Sequence, residues 1–303
     1  MPQSPSRSAF SAADLALYAT VVLVWGTSWL PLRLQLGVVA PEVSGLWRFA
    51  IAATIMFAWV GLAGARFRFG GADHARFALL GATLFSLNFL AAYYGGFYLS
   101  SGLLAVVFSL ASIINPLLAA ALGRGVLDLR VLTAAVLGVG GIALLFGPEI
   151  TATEASRDTA LGLGLALLAT VLFCIGNMLS AAFQARGMPV VPANAWCMLY
   201  GTAVFAAVAL VRGEPFIAEW NARYLGSVAW LALLSTVVAF FAYLTLVGRV
   251  GPGRASYSTV LVPLMALAIS TVFEHYTWTA AGGLGVILVL AGNAVVLSAP
   301  RRA

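Results

Sequence analysis

The sequence predicts an all-α integral membrane protein with ten transmembrane helices arranged as two inverted five-helix repeats. Three observations carry this prediction. Of 303 residues, 62% are hydrophobic and 9% charged, against roughly 25% charged residues in a soluble domain. So little polar surface cannot cover the chain, and lipid must be its solvent. Apolar stretches of about 20 residues, the length that crosses a bilayer, occur ten times. Finally, the two halves read alike. Tyr93 to Gly140 lies on Phe240 to Ile287 at a constant shift of 147 residues, and a shift of 150 upstream sets Gly26 on Gly176. A repeat with an odd number of spans enters the second time from the opposite side. The halves are then related by a pseudo-two-fold axis in the membrane plane, a design that builds transporters with a site near the bilayer midplane.

The first span, 14–35, starts after a short serine-rich tail. Its apolar run continues through Trp29 to Leu36 with no small-residue cleavage site, so it reads as a retained helix and not as a signal peptide. The second, 42–64, follows Pro41 and contains Arg48. Spans 75–98 and 101–122 form a hairpin turning at Leu99-Ser100-Ser101-Gly102, and 129–147 closes the first repeat, residues 14–147. The longest polar link, Pro148 to Asp158, joins the repeats. The second repeat, residues 159–299, contains spans 159–183, 193–212, 224–247, 254–273 and 279–299, with its hairpin turning at Gly248 to Gly253. Short links make neighbouring helices antiparallel, and glycines such as Gly138, Gly141 and Gly285 let them approach closely. No strand precedes the Gly282 cluster, so it is no nucleotide loop. Ten spans leave no room for a soluble domain.

All sixteen basic residues are arginine. Eleven of them (Arg7, Arg66, Arg68, Arg76, Arg124, Arg130, Arg186, Arg249, Arg254, Arg301 and Arg302) fall on the side of the termini, and four (Arg33, Arg157, Arg212 and Arg223) on the other. The positive-inside rule then places both termini in the cytoplasm. The net charge of +6 is spread over many short loops; it is a topology signal and argues little for nucleic acid. Cys174 and Cys197 lie within spans, where two cysteines make neither a disulfide framework nor a metal site.

The candidate transport residues recur in both repeats. Ser109, Ser112 and Pro116 match Ser256, Thr259 and Pro263 in register. Proline frees the carbonyl one turn earlier, and in lipid that carbonyl needs a partner, which nearby hydroxyls can supply. Pro116 and Pro263 are therefore the expected hinges, and Ser112 and Thr259 candidate cavity residues. Asn88 and Asn177 lie inside spans; each amide either holds a substrate's polar group or ties two helices. Trp29, Phe240 and Tyr243 are the aromatic candidates for an apolar cavity with few polar fixing points, with Trp25, Tyr93, Tyr94 and Thr236 near them. Arg48, two turns into its span, reads as structural, its head snorkelling outward towards Glu42. No carboxylate lies near the middle of any span, and neither His74 nor His275 sits deep enough for a proton relay.

These motifs resemble the drug/metabolite transporter superfamily, in particular its ten-span members with duplicated EamA domains. Trp25-Gly26-Thr27-Ser28-Trp29 is similar to the family's first-span pattern, Arg48-Phe49 to its second-span pair, and Pro116 and Pro263 to its fourth- and ninth-span prolines. Pro263, Glu274, Tyr276-Thr277-Trp278 and the Gly282 cluster resemble the end of its second domain. The likeness covers nearly the whole chain. Gly123-Arg124-Gly125 departs from it by lacking the acidic residue often found there, which leaves Glu274 without a repeat mate. Within the family the chain looks most like aromatic amino acid exporters of the YddG type. The resemblance implies a basket of spans 1, 3, 4, 6, 8 and 9 around a cavity, with spans 5 and 10 stacked behind. It also implies a bacterial inner-membrane protein, working as a monomer, that exports amino acids or related metabolites by alternating access. No enzyme constellation, cofactor, metal or nucleic-acid partner is expected; the partners are the small-molecule substrate and the bilayer. The rivals are an exporter of cationic drugs, for which a membrane-embedded acid is missing, and a pore-like facilitator.

Overall fold

The computed structural model describes residues 11–123, 129–151, 156–250 and 258–297; within these, the side chains of 147–151, 156, 244, 247, 248 and 259 lie outside the description. All regular structure among the described residues is helical. The ten spans are α1 (Ala12–Leu34), α2 (Pro41–Leu62), α3 (Gly71–Gly95), α4 (Ser101–Ala121), α5 (Leu129–Thr151), α6 (Ser156–Gln184), α7 (Val190–Arg212), α8, α9 (Ser258–Phe273) and α10 (Ala280–Leu297). Helix α8 runs as Ala222–Ala229, Trp230–Val238 and Ala239–Val250. Among the described residues, nine of these helices are long and apolar enough to cross a bilayer; α9 is shorter because its expected first residues lie outside the description. Helices α1 and α10 begin and end on one side, called here the termini face. The opposite side is the distal face.

Local chemistry explains where helices start. Ser11 caps α1 and exchanges hydrogen bonds with Asp14 in a capping box. Pro41 opens α2, where its missing N–H costs nothing. Ser100 caps α4 through the Leu103 N–H, and Asn221 caps α8 through that of Tyr224.

Much of the helix packing follows the repeat symmetry, while α1–α4 and α4–α10 pack with no comparable counterpart among the described residues in α6–α9 and α5–α9. For the pairs that follow it, exchanging each helix with the one five later turns an observed contact into another or into itself. The pair α1–α8 maps onto α3–α6, α1–α9 onto α4–α6, and α2–α8 onto α3–α7; α2–α7, α5–α10 and α4–α9 map onto themselves. Helices α1, α3, α4, α6, α8 and α9 thus form the centre, flanked by α2–α7 on one side and α5–α10 on the other. The first flank packs Phe49, Met198 and Phe205 against Phe77 and Phe85 of α3. In the second, Gly141 and Gly285 face each other so closely that a Cβ on either would lie 2.6 Å from the other's carbonyl oxygen. In lipid such close packing replaces the hydrophobic drive.

Two departures from regular helix matter for the site. Helix α3 contains a π-helical turn, Thr83–Leu87, and α8 a longer one, Trp230–Val238. Under the upstream shift of 150, Thr83–Leu87 falls on Leu233–Val237, inside the longer turn, and Ser86 falls on Thr236. Each wide turn is tied by a hydroxyl bonding five residues back: Ser86 Oγ donates to the Gly81 carbonyl at 2.9 Å, and Thr236 Oγ1 to that of Leu231 at 2.7 Å. Helix α4 is broken at Leu110 into Ser101–Ser109 and Ala111–Ala121.

Candidate functional site

The distal halves of the central helices are sealed. Every residue from Ser101 to Val107 in α4 is buried. Gly102 packs on α9 so tightly that a Cβ there would stand 2.9 Å from Leu267 Cα. Charged groups close the same face. Arg33, ending α1, pairs with Glu274 at 2.5 Å and donates to the Gly96 carbonyl at 3.1 Å. Glu274 also accepts from the backbone N–H and the hydroxyl of Ser101, at 3.0 and 2.5 Å. One carboxylate thus joins the distal ends of α1, α4 and α9. Burial pushes the Glu274 carboxyl up, but the donors Ser101 and Arg33 and the Arg33 charge outweigh it and hold the group below the ordinary carboxylate value. A second knot joins α2, α3 and α7: Glu42 pairs with Arg212 at 3.3 Å and accepts from Tyr94 at 3.0 Å, while Arg212 also donates to the Tyr94 hydroxyl.

The termini halves differ. In α4 beyond the break only Ala111 and Ile113 are buried, and in α6 no residue from Asn177 to Gln184 is. An open cleft of about 330 Å³ lies there between Ala119 of α4 and Met178, Ala181 and Ala182 of α6. The polar ties on this face bind neighbours in pairs. Arg249 with Asp14 and Ser11 joins α8 to α1, and Tyr200 with His74 joins α7 to α3. Among the described residues no ion pair links α4, α6 or α9 to another helix at this face.

The aromatic candidates meet at mid-membrane. The Trp29 ring lies edge-on to Phe108 at 5.2 Å, and Phe108 lies 4.8 Å from Phe173. This row runs from α1 through α4 to α6, directly under the sealed segment and beside the Leu110 break. A second group pairs Trp25 with Tyr243 at 5.2 Å, and Trp25 Nε1 donates to the Ser235 carbonyl at 3.1 Å, next to the π-helical Thr236. Phe240 lies half-buried on the same helix, and Asn177 half-buried at the start of the open stretch of α6. Phe108 and Phe173 had no sequence signal beyond being aromatic in a span; only their spatial sequence with Trp29 singles them out.

The polar candidates fare differently from one another. Asn88 is 1% exposed, and neither atom of its amide has a hydrogen-bond partner among the described residues. Ser112 donates to Asn293 Oδ1 at 2.7 Å, while Asn293 Nδ2 donates to Ser109 at 3.0 Å. The proton of Ser112 is therefore committed to α10, and only its oxygen lone pairs remain for a solute. The side chain of Thr259, with Ser256, lies outside the described residues. The break in α4 lies at Leu110, before Pro116, which itself sits within the second segment; Pro263 sits within the described part of α9, Ser258–Phe273. The Ala111 carbonyl beside the break accepts from Cys174 Sγ at 3.7 Å.

One sequence expectation needs correction. Arg48 does not snorkel to Glu42, which is held by Arg212 and Tyr94. It stays 4% exposed, its guanidinium 4.9 Å from the Phe49 ring centre and 4.3 Å from that of Phe89, and reaches Thr236 of α8 at 3.4 Å. Glu274, which lacks a repeat mate in sequence, finds its partner in Arg33, 241 residues away.

Comparison with known proteins agrees with this architecture. Residues 13–147 and 160–298 each match the model of the EamA-like transporter family. The uncharacterized transporter YoaV of Bacillus subtilis is 21% identical over 90% of this chain and 92% of its own length. Protein PecM of Dickeya dadantii is 26% identical over 93% of this chain and 91% of its own. A solved crystal structure overlays with a TM-score of 0.65 at 19% identity, covering 95% of this chain and 96% of the other; it supports the fold.

Proposed function

This chain belongs to the EamA-like transporter family and is a multi-pass membrane transporter; on that premise we propose that it exports small metabolites, amino acids including aromatic ones foremost, by alternating access. The observation that carries this reading is the contrast in burial along α4 and α6: sealed on the distal face and open on the termini face, with the Trp29–Phe108–Phe173 row between. With eleven of the sixteen arginines on the termini face, that face is cytoplasmic and the chain sits in a bacterial inner membrane. A solute then enters from the cytoplasm between α4, α6 and the α1–α8 pair. Its apolar part rests on Trp29, Phe240 and Tyr243, and its polar part meets Asn88, Asn177, Ser112 and Thr259. Repacking about Pro116 and Pro263 releases the distal seal and closes the cytoplasmic cleft. The two repeats, residues 14–147 and 159–299, supply both sides of the path, so a monomer suffices.

The test is counterflow in proteoliposomes with labelled phenylalanine, tyrosine and tryptophan, with and without an imposed pH gradient. Saturable exchange that needs internal amino acid is expected, unchanged by the gradient because no acid lies at mid-membrane to carry a proton. Uptake that never saturates marks a pore; uptake of a cationic dye in place of amino acids marks a drug exporter. Either result removes the proposal.

A further inference from the structure

The described part of the chain contains five ion pairs: Arg33–Glu274, Arg76–Asp73, Arg212–Glu42, Arg212–Glu214 and Arg249–Asp14. Arg48 is in none of them, although it is the most deeply placed cation, 4% exposed on the second turn of α2. A guanidinium has five N–H donors and no acceptor. Here it has one long contact, 3.4 Å to Thr236 Oγ1, and the Tyr93 hydroxyl beside it. Each hydroxyl gives its proton elsewhere, Thr236 to the Leu231 carbonyl at 2.7 Å and Tyr93 to Gln35 Oε1 at 2.7 Å, and so offers Arg48 the lone pairs of a neutral oxygen but no counter-charge. Arg48 Nε is buried with no acceptor among the described residues.

Its surroundings have the same bias. Gln35 Nε2 and Trp230 Nε1 are likewise buried donors with no acceptor among the described residues. Gln35 is reached through Tyr93, and Trp230 packs in the apolar cluster that holds Tyr93 and Phe89. The rings of Phe49 and Phe89 flank the guanidinium, where cation–π attraction holds the charge but leaves its N–H edges unfilled. A buried cation without a counter-charge costs several kcal/mol, and a purely structural arginine recovers that cost from a carboxylate or several carbonyls. Donors outnumber acceptors here, and the group they lack is an anion.

We propose that Arg48 is the anion anchor of the transport path, binding the carboxylate of the solute in place of its long contact to Thr236. The protein would thereby select solutes that bear a carboxylate. Thr236 is one turn before Phe240 in α8 and ends the face that continues to Tyr243, so an anion at Arg48 leaves the rest of the solute among the aromatic candidates. The inference rests on the reading of the chain as an exporter, and it narrows the substrate class.

The test uses the purified full chain in liposomes and in detergent, with 3-phenylpropionate, phenylalanine and phenylalaninamide as probes. Binding is read by thermal shift and by competition in counterflow. The wild type is expected to bind both carboxylates at least about tenfold more tightly than the amide, the range of a charge-assisted pair. Arg48→Gln is expected to lose that preference with its affinity for the amide unchanged, and Arg48→Lys to keep part of it. Should Arg48→Gln not fold, the wild-type preference and its reduction in Arg48→Lys still decide. Equal binding of phenylalanine and phenylalaninamide by the wild type overturns the anchor and leaves the amino-acid reading standing. Binding of 3-phenylpropionate without phenylalanine keeps the anchor and removes the amino-acid reading. A full preference in Arg48→Gln overturns the anchor outright.

Discussion

Helices α4 and α9 occupy equivalent places in the two repeats and carry the same spacing of hydroxyls and proline, yet the flank helices beside them differ. Helix α4 breaks at Leu110, whose repeat mate Tyr257 lies outside the described residues. The difference that the described residues carry lies on the neighbouring flank helix. Asn293 of α10 grips both Ser109 and Ser112, whereas the equivalent position in α5, 147 residues earlier, is the buried Phe146. An amide can hold two hydroxyls and a phenyl ring can hold none. A protein with symmetric repeats needs such unequal contacts, because two identical conformations would open or close both doors together.

The largest test of this asymmetry is steric. Gly102 lets the distal halves of α4 and α9 cross, and a side chain there would run into Leu267 Cα, Leu267 Cδ2 and Ser270 Cβ of α9, each 2.9 Å from its Cβ. Gly102→Leu is expected to cost about 3 kcal/mol of stability, lowering the melting temperature and abolishing counterflow because the distal door cannot shut. A Cβ on Gly140, in α5, would meet nothing within 4 Å. Gly140→Leu should therefore leave both readouts near wild type. If Gly102→Leu transports normally, the tight crossing is not the seal.

A smaller effect isolates the Asn293 grip. Asn293→Leu leaves two hydroxyls without their amide and is expected to cost about 1–2 kcal/mol. A double-mutant cycle with Ser112→Ala should recover a coupling of roughly 1 kcal/mol. Hydrogen exchange of the segment 105–118 should rise in the single variant as the break loses its clamp. Additive changes in the cycle would show that Asn293 does not set the shape of α4.

The features legible in the sequence are those that depend on local composition or on repetition. The ten apolar stretches, the repeat register and the proline pairs can all be read along the chain, because a spanning helix is a composition and an inverted repeat is a self-similarity. The π-helical turns at Thr83 and Trp230 cannot, since one extra residue per turn changes backbone register without changing residue type. Arg48 misled for a related reason. A cation near a span end ordinarily reaches for the interface, and nothing along the chain reveals that Glu42 is already taken by Arg212. Asn293 is a single amide in an apolar run, and its two serines are over 180 residues away. Contacts at that separation are set by the packing of helices and appear only when the repeats are assembled.

The smallest expected effect separates the distal seal from a proton switch. The Glu274 carboxyl is held below its ordinary value of 4.5, so it contributes to the sealed state at every pH above that value. Its contribution is lost only as pH falls through the lowered value, when protonation removes the charge facing Arg33. Between pH 8 and pH 5.5 the seal should therefore be indifferent to protons. Glu274→Gln replaces two strong acceptor oxygens with one carbonyl, and should weaken the seal by about 1 kcal/mol. The readout is the reactivity of a cysteine placed at Ala105, within the sealed segment, towards a membrane-impermeant thiol reagent added from the distal side, taken as a ratio to that of a fully exposed cysteine at the same pH so that the thiolate fraction cancels. With Glu274 intact, this ratio should stay low and flat across that range and rise below pH 4.5; in Glu274→Gln it should be several-fold higher at neutral pH and lose the acid rise. The seal lies on one face only, so the same reagent applied from the termini face should find no change. A rise in distal labelling near neutral pH would give the carboxylate a proton-sensing part in opening the distal door.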